Sequence, residues 1–430
     1  MDFKPATQNS KPEVIEGNGD TGLHSKADRG VDKEPTQAYV AVCRGERRED
    51  NEGMRMKVTR HEPGGLYIHV PFCKTKCPYC DFYSVTDLSL VDKWLDALQK
   101  EMSFYCHNFS VFDSLYLGGG TPTLLKRSQM KRLFDNLRSH FSFLPNTEIT
   151  VEANPDDITT AKLSVLQTMA VNRLSIGVQS FNETELLFLK RRHTGHNATK
   201  AVKLAKTYGF TNIGIDLMYG FEGQTKESWL DTMKAAVDLD PMHLSCYQFT
   251  LEEETPYGRL KAEGKLKPIT EEEERDFFLL TSSFLNLNGF VHYEVSNYGK
   301  GKEHFSRHNQ KYWHHVPYLG LGPAAHSFKN NKRWWNYRSV EKYCHMLSQG
   351  KIPVEGSEAL SSDQLKLERL YLGFRTENGV SLDEISGSDS MARVLSQLKR
   401  SGFVKIRNNM IIPTLKGYLI ADSFPLMFTD

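Results

Sequence analysis

No apolar run in the 430 residues approaches the roughly 20 that a bilayer-crossing helix needs, so the chain is not expected to span a membrane. Charge of either sign is also missing in excess. Lys and Arg number 54 against 53 Asp and Glu, a net +1, which gives no support for a nucleic-acid partner recruited by bulk electrostatics. Seven cysteines without a secretory leader do not read as a disulfide framework. They fit a reducing compartment, the cytoplasm, in which thiols stay free to hold metal. Residues 1–64 lack regularly spaced apolar positions and read as a disordered N-terminal extension. A eukaryotic relative would be mitochondrial, yet Glu13, Glu16, Asp20 and Asp28 are at odds with a transit peptide, which avoids acids.

What the chain has, from residue 66 onward, is a strand–helix rhythm. Strand-like runs occupy 66–70, 113–117, 148–153, 173–178, 212–218 and 243–249, and helical patterns fill 91–105, 126–141, 160–170, 197–208 and 226–239. Such alternation implies parallel pairing through right-handed crossovers. Six units fall short of the eight in a closed barrel. The expected fold class is therefore α/β, a partial (βα)6 barrel over 65–300. An aromatic and His-rich linking region follows over 301–355. Residues 356–430 complete the chain as a small winged-helix-like α+β domain, with helices near 365–375 and 391–402 and short strands at 404–406 and 410–412. It carries no marked basic stripe, so it is not expected to read DNA. Glu271 to Glu274 open a long helix, where negative charge suits the helix dipole.

The densest chemistry lies in Tyr67-Ile68-His69-Val70-Pro71-Phe72-Cys73-Lys74-Thr75-Lys76-Cys77-Pro78-Tyr79-Cys80, a Cys-x3-Cys-x2-Cys spacing directly after the first strand. Three thiolates so close cannot all pair, and they are too few for a four-coordinate structural zinc site. They suit an iron–sulfur cluster with one iron left open. A loop of reduced cysteines, or a zinc site whose fourth ligand lies elsewhere, is the alternative. The other strands also end on small or polar groups, at Gly118-Gly119-Gly120-Thr121, Glu152, Gln179 and Asp216. In barrels of this kind the chemistry sits at the C-terminal strand ends.

This spacing, with Tyr79 before the last cysteine, resembles the radical S-adenosylmethionine (SAM) superfamily. More narrowly, Tyr67 to Phe82 looks like the branch containing oxygen-independent coproporphyrinogen III oxidases and haem chaperones of the HemW type. The resemblance covers the chain from about residue 65 onward. It implies a [4Fe-4S] cluster on Cys73, Cys77 and Cys80, whose open iron chelates SAM. It also implies SAM contacts from Tyr67, Tyr79, Gly119, Gly120, Thr121, Glu152, Gln179, Arg191 and Asp216. In this superfamily an electron passed to SAM breaks a carbon–sulfur bond and yields a 5′-deoxyadenosyl radical.

Beyond residue 290, His308-Asn309-Gln310-Lys311-Tyr312-Trp313 and Leu319-Gly320-Leu321-Gly322-Pro323-Ala324-Ala325-His326 resemble signature blocks of the same branch. A flat macrocycle suits aromatic faces with a few polar groups, and imidazole is the usual axial ligand of haem iron. His308, Asn309, Tyr312 and Trp313 are the haem candidates, with His304, His314, His315 and His326 behind His308 as the axial ligand; Trp334 and Trp335 are assigned to a domain junction. The oxidases carry a fourth cysteine two residues after the third, and here that place is Phe82. Phe82 offers no thiolate. The resemblance therefore favours a haem chaperone that delivers haem to haem-requiring proteins such as respiratory complexes, with the oxidase as the alternative. An electron donor is implied, and peripheral membrane docking and a homodimer are left open. The sequence names no catalytic residue.

Overall fold

The computed structural model describes residues 62–385 and 389–428. The N-terminal extension expected over 1–64 lies outside the described residues except for its last three. Six parallel strands form the body of one sheet: β1 (Gly64–Val70), β2 (Phe112–Gly119), β3 (Phe143–Ala153), β4 (Arg173–Gln179), β5 (Asn212–Tyr219) and β6 (His243–Gln248). They pair in chain order, each joined to the next through helical segments. This is the α/β partial barrel that the strand–helix rhythm predicts.

The sheet extends further at both edges. β7 (Val291–Glu294) and β8 (Asn297–Gly299) form a hairpin antiparallel to β6. At the opposite edge β9 (Tyr318–Leu321) lies parallel to β1, and β10 (His326–Lys329), β11 (Lys332–Asn336) and β12 (Val354–Ala359) continue it antiparallel. Residues 318–359 thus supply four strands to the same sheet. Trp334, on β11, stacks on Tyr105 of the first long helix with ring centroids 6.1 Å apart.

Alternation along each strand separates two environments. Leu115, Leu117, Val151, Leu174, Ile176, Ile215 and Leu217 belong to the main apolar core, as do Trp94, Leu98, Leu133, Trp229 and Met233 of the covering helices. The intervening residues face the barrel interior and are polar: Tyr116, Glu152, Ser175 and Asp216 bond to one another across neighbouring strands. A buried carboxylate, Glu101, fastens the first helix to the β9–β11 edge. It accepts from Gly322 N at 2.8 Å, Asn336 Nδ2 at 2.6 Å and the Tyr343 hydroxyl at 2.5 Å.

The C-terminal module has its own core around Leu370, Phe374, Ile411 and Phe424, and a three-stranded antiparallel sheet of β13 (Val380–Ser381), β14 (Val404–Arg407) and β15 (Met410–Pro413). Arg375 anchors it to the barrel. Its guanidinium is buried between Asp422, at 2.6 Å, and Glu294 of β7, at 3.7 Å.

Candidate functional site

The strand ends converge on the cysteine loop that follows β1. Its base is stiff: Val85 N donates to Pro71 O at 2.8 Å, Cys73 N to Val85 O at 3.0 Å, and Thr121 N to Phe72 O at 2.7 Å. Cys73, Cys77 and Cys80 are all free and partly exposed. Thr121 Oγ1 donates to Cys73 Sγ at 3.6 Å, and Arg191 Nη1 to Cys77 Sγ at 3.5 Å. Both sulfurs thus have a hydrogen-bond donor in place. Burial pushes the Cys80 thiol up to about 12, so ligation there must displace a proton.

Among the described residues no group of three or more His, Cys, Asp or Glu side chains is gathered to hold a single metal ion. Thiolates that each take a different iron of one cluster need not meet at a point. The donor set fits such a cluster, and the surroundings fit a small polar ligand beside it. Gln179, held at φ +69° where the β4–β5 register slips, has a buried Oε1 with no partner. Its left-handed backbone is the kind of strain that collects at binding sites. Gly120 sits so close to the β1 end that a Cβ would lie 2.6 Å from Phe72 O and 2.7 Å from Val70 O. Gly119 has φ +100°, and its N–H donates to Glu152 Oε2 at 3.1 Å.

Glu152 also accepts from the Tyr116 hydroxyl at 2.8 Å. Burial is the main cause that raises its carboxyl to about 7, opposed by those two hydrogen bonds. Asp216 is likewise raised by burial and accepts from Ser175 Oγ at 3.0 and 3.1 Å. Arg191 reaches from Cys77 to Gly177 O, at 2.6 Å, and so spans the cysteine loop and the end of β4. Tyr79 packs its edge on Phe249 at 5.9 Å, within an aromatic wall that includes Phe188, Phe221 and Tyr257, while its hydroxyl bonds Cys77 and Arg191.

Of the nine residues expected to contact SAM, eight lie on the cysteine loop, on β2–β5 or on the segments that directly follow those strands. The ninth, Tyr67, lies deeper, with its hydroxyl 3.1 Å from His69 Nδ1. Sequence reasoning passed over Tyr116 and His69. Tyr116 is detectable as a polar interruption between Leu115 and Leu117, and His69 as one between Ile68 and Val70. His69 Nε2 bonds Tyr83 O at 2.8 Å, beneath the returning arm of the loop.

Of the haem candidates, His308 packs against the floor of this group, its ring stacked on Tyr116 at 5.2 Å and on Tyr67 at 6.3 Å. His308 is buried, with Nδ1 3.0 Å from Ser114 Oγ and Nε2 2.8 Å from the Tyr312 hydroxyl. Burial lowers its pKa to about 3, which keeps the ring neutral. Neither nitrogen can meet an iron without losing one of these bonds. Asn309 is buried, and Tyr312 and Trp313 are partly exposed. His304 is partly exposed, His315 lies 3.5 Å from Glu368, and His326 stacks on Trp335. His314 is exposed.

The radical SAM superfamily model matches residues 67–236, which includes the cysteine loop and the β2–β5 ends. A protein of Mycobacterium tuberculosis named heme chaperone HemW is 32% identical over 369 residues, spanning 84% of this chain and 94% of that relative. The chain belongs to the HemW family of radical SAM proteins. A Bacillus subtilis HemW is also 32% identical, across 83% of this chain and 96% of its own length. Among solved structures, the radical SAM coproporphyrinogen III oxidase HemN of Escherichia coli superposes with a TM-score of 0.73 at 25% identity. That match covers 86% of this chain and 90% of HemN. HemW membership implies a [4Fe-4S] cluster and SAM as the superfamily's cofactors, in keeping with the fit above. No helix among the described residues is long and apolar enough to cross a membrane.

Proposed function

We propose that this chain is a haem chaperone: it holds a [4Fe-4S] cluster on Cys73, Cys77 and Cys80, binds SAM at the barrel mouth, and passes haem to haem-requiring proteins such as respiratory complexes. The observation that carries this is the three-cysteine loop at the C-terminal mouth ending in Cys80-Asp81-Phe82, with no thiol at the fourth place. The likeness to proteins named heme chaperone supports the choice over an oxidase.

When bound, the cluster would supply one-electron chemistry at an iron open to SAM. The chain's own residues do the rest. Arg191 donates to Cys77 Sγ and offers a fixed guanidinium to a carboxylate. Glu152, held by Tyr116 and Gly119, and Asp216, held by Ser175, present acceptors suited to hydroxyl or ammonium groups. Gly119, Gly120 and Thr121 let the backbone approach a ligand closely, and the Gln179 amide oxygen is free to accept. Tyr67 supports the floor, and Tyr79 closes the aromatic side. Haem contacts belong to the 304–326 region, through the partly exposed rings of Tyr312 and Trp313 beside Asn309. His314 is the exposed histidine of that region, its Nε2 3.3 Å from Asn378 Nδ2, and His308 would first have to release Ser114 or Tyr312 to meet an iron. The working compartment is the cytoplasm, with an electron donor for the cluster.

The test is anaerobic reconstitution of the cluster, followed by haem in one sample and coproporphyrinogen III with SAM and reductant in another. The expected result is near-stoichiometric haem binding seen in the visible spectrum, with no protoporphyrinogen formed. Product formed with turnover would overturn the choice in favour of the oxidase. Cys77→Ala should abolish the cluster's visible absorption; an unchanged iron count would remove Cys77 as a ligand.

A further inference from the structure

The cysteine loop is held in two unequal parts. Cys73 belongs to the stiff base, fixed by backbone bonds to Val85 and, through Phe72, to Thr121. Cys77 and Cys80 ride on the excursion from 74 to 84, which has few bonds of its own beyond Cys80 N to Cys77 O at 3.1 Å. External holds replace them. Arg338 pairs with Asp81 on the far side, its Nη2 at 2.9 Å from Oδ1, and Val340 N donates to the Tyr83 hydroxyl at 2.8 Å. Between the two ligating cysteines there is one backbone hold: Tyr257 N donates to Pro78 O at 3.1 Å.

Tyr257 is built to stay there. It is the second residue of the helix Pro256–Ala262, whose start is capped by Thr255 Oγ1 accepting from Gly258 N at 3.0 Å. Gly258 is packed so tightly that a Cβ would lie 1.9 Å from Glu252 O. The Tyr257 hydroxyl donates to Phe188 O, and its ring lies 5.4 Å from Phe188 and 6.3 Å from Phe249. Phe249 in turn touches Tyr79, the residue beside Cys80. One residue thus joins the two: its side chain packs on the 183–188 helix and the aromatic wall, and its backbone N–H holds the backbone that carries the second and third cysteines.

We propose that Tyr257 is a positioning residue for the Cys77–Cys80 half of the loop, setting the separation of those two sulfurs from the one fixed at Cys73. The proposal rests on the loop's being the cluster site. Without the Tyr257 ring the helix start would lose its anchor on Phe188 and Phe249, the backbone N–H at 257 would no longer be held against Pro78, and the excursion would open locally while the base stayed closed.

The test reads both the metal-free and the loaded full-length chain. In the metal-free protein, iodoacetamide labelling followed by peptide mass spectrometry gives a rate for each cysteine. Tyr257→Ala is expected to speed labelling of Cys77 and Cys80 by about tenfold while Cys73 stays within about twofold. Tyr257→Phe, which keeps the ring, should remain within about threefold of the parent at all three. Equal acceleration at all three cysteines, or none, overturns the proposal. Should Tyr257→Ala not fold, Tyr257→Leu keeps apolar volume in the wall and is read the same way. In the reconstituted protein, iron loss to a ferrous chelator should quicken in Tyr257→Ala and return toward the parent rate in Tyr257→Phe. Parent-like iron loss in both variants overturns the link to the cluster. A parent chain that takes up no iron defeats the cluster assignment instead, and the labelling pattern still decides whether Tyr257 positions the loop.

Discussion

Gly119→Ala tests whether the glycine loop after β2 is fixed by backbone geometry and by its neighbour together. Two costs add. Gly119 has φ +100°, a conformation L-residues rarely adopt, which costs about 1–2 kcal/mol. The new methyl would also stand 2.4 Å from Cε1 and 2.5 Å from Nδ1 of His69. That ring cannot swing away cheaply, because Tyr67 and Tyr83 hold both its nitrogens. Overpacking of this kind costs about 1–3 kcal/mol more, for a total of about 2–5 kcal/mol. Gly264→Ala is the matched control: it has φ +69° but nothing within 4 Å of its Cβ, so it should lose only about 1–2 kcal/mol. Urea unfolding of both variants beside the parent gives the difference. A Gly119→Ala loss no greater than that of Gly264→Ala would refute the steric half of the account, and with it the claim that His69 is locked beneath the loop.

Three further outcomes are expected. Glu101→Ala strips the acceptor from three buried donors and should cost about 3–5 kcal/mol in urea unfolding; a loss below about 1 kcal/mol would show that the β9–β11 edge is held by other contacts. Glu152, raised by burial from 4.5 to about 7, binds its proton more tightly in the folded chain than in the unfolded one. Its contribution is therefore complete below about pH 4.5 and is lost as pH rises toward 7, so the parent should lose about 1–3 kcal/mol relative to Glu152→Gln across that window. Parallel pH profiles for the two proteins would contradict this. His308→Ala should lower thermal stability, since it leaves Ser114 and Tyr312 without their shared partner, and should leave the haem spectrum as it was. A changed haem spectrum with unchanged stability would reverse that assignment.

The barrel was legible because its strands are long enough to show alternation or continuous apolar runs. The 66–70, 173–178 and 212–218 runs fall within Gly64–Val70, Arg173–Gln179 and Asn212–Tyr219. The cysteine loop was legible because its chemistry is local, three thiols in eight residues. The β9 edge was not. Tyr318–Leu321 has four residues beside a Gly-Pro turn, and its partner β1 lies some 250 residues earlier, so local pattern carries no trace of the pairing. Burial of His308 escaped for the same reason: Ser114, 194 positions away, satisfies a ring that in isolation looks like a ligand. Tyr257 gives no local signal at all, since its partner Pro78 is chosen by the fold.

The place of β1 between β2 and β9 sets an order of events during synthesis. The first strand of the described residues to leave the ribosome keeps an open edge until residue 321 has emerged, a bare row of amides and carbonyls that other chains can template on. The nascent protein is therefore most vulnerable to mispairing over the stretch in which its cysteines are already translated, and metal loaded before that seam closes would enter an unfinished vessel.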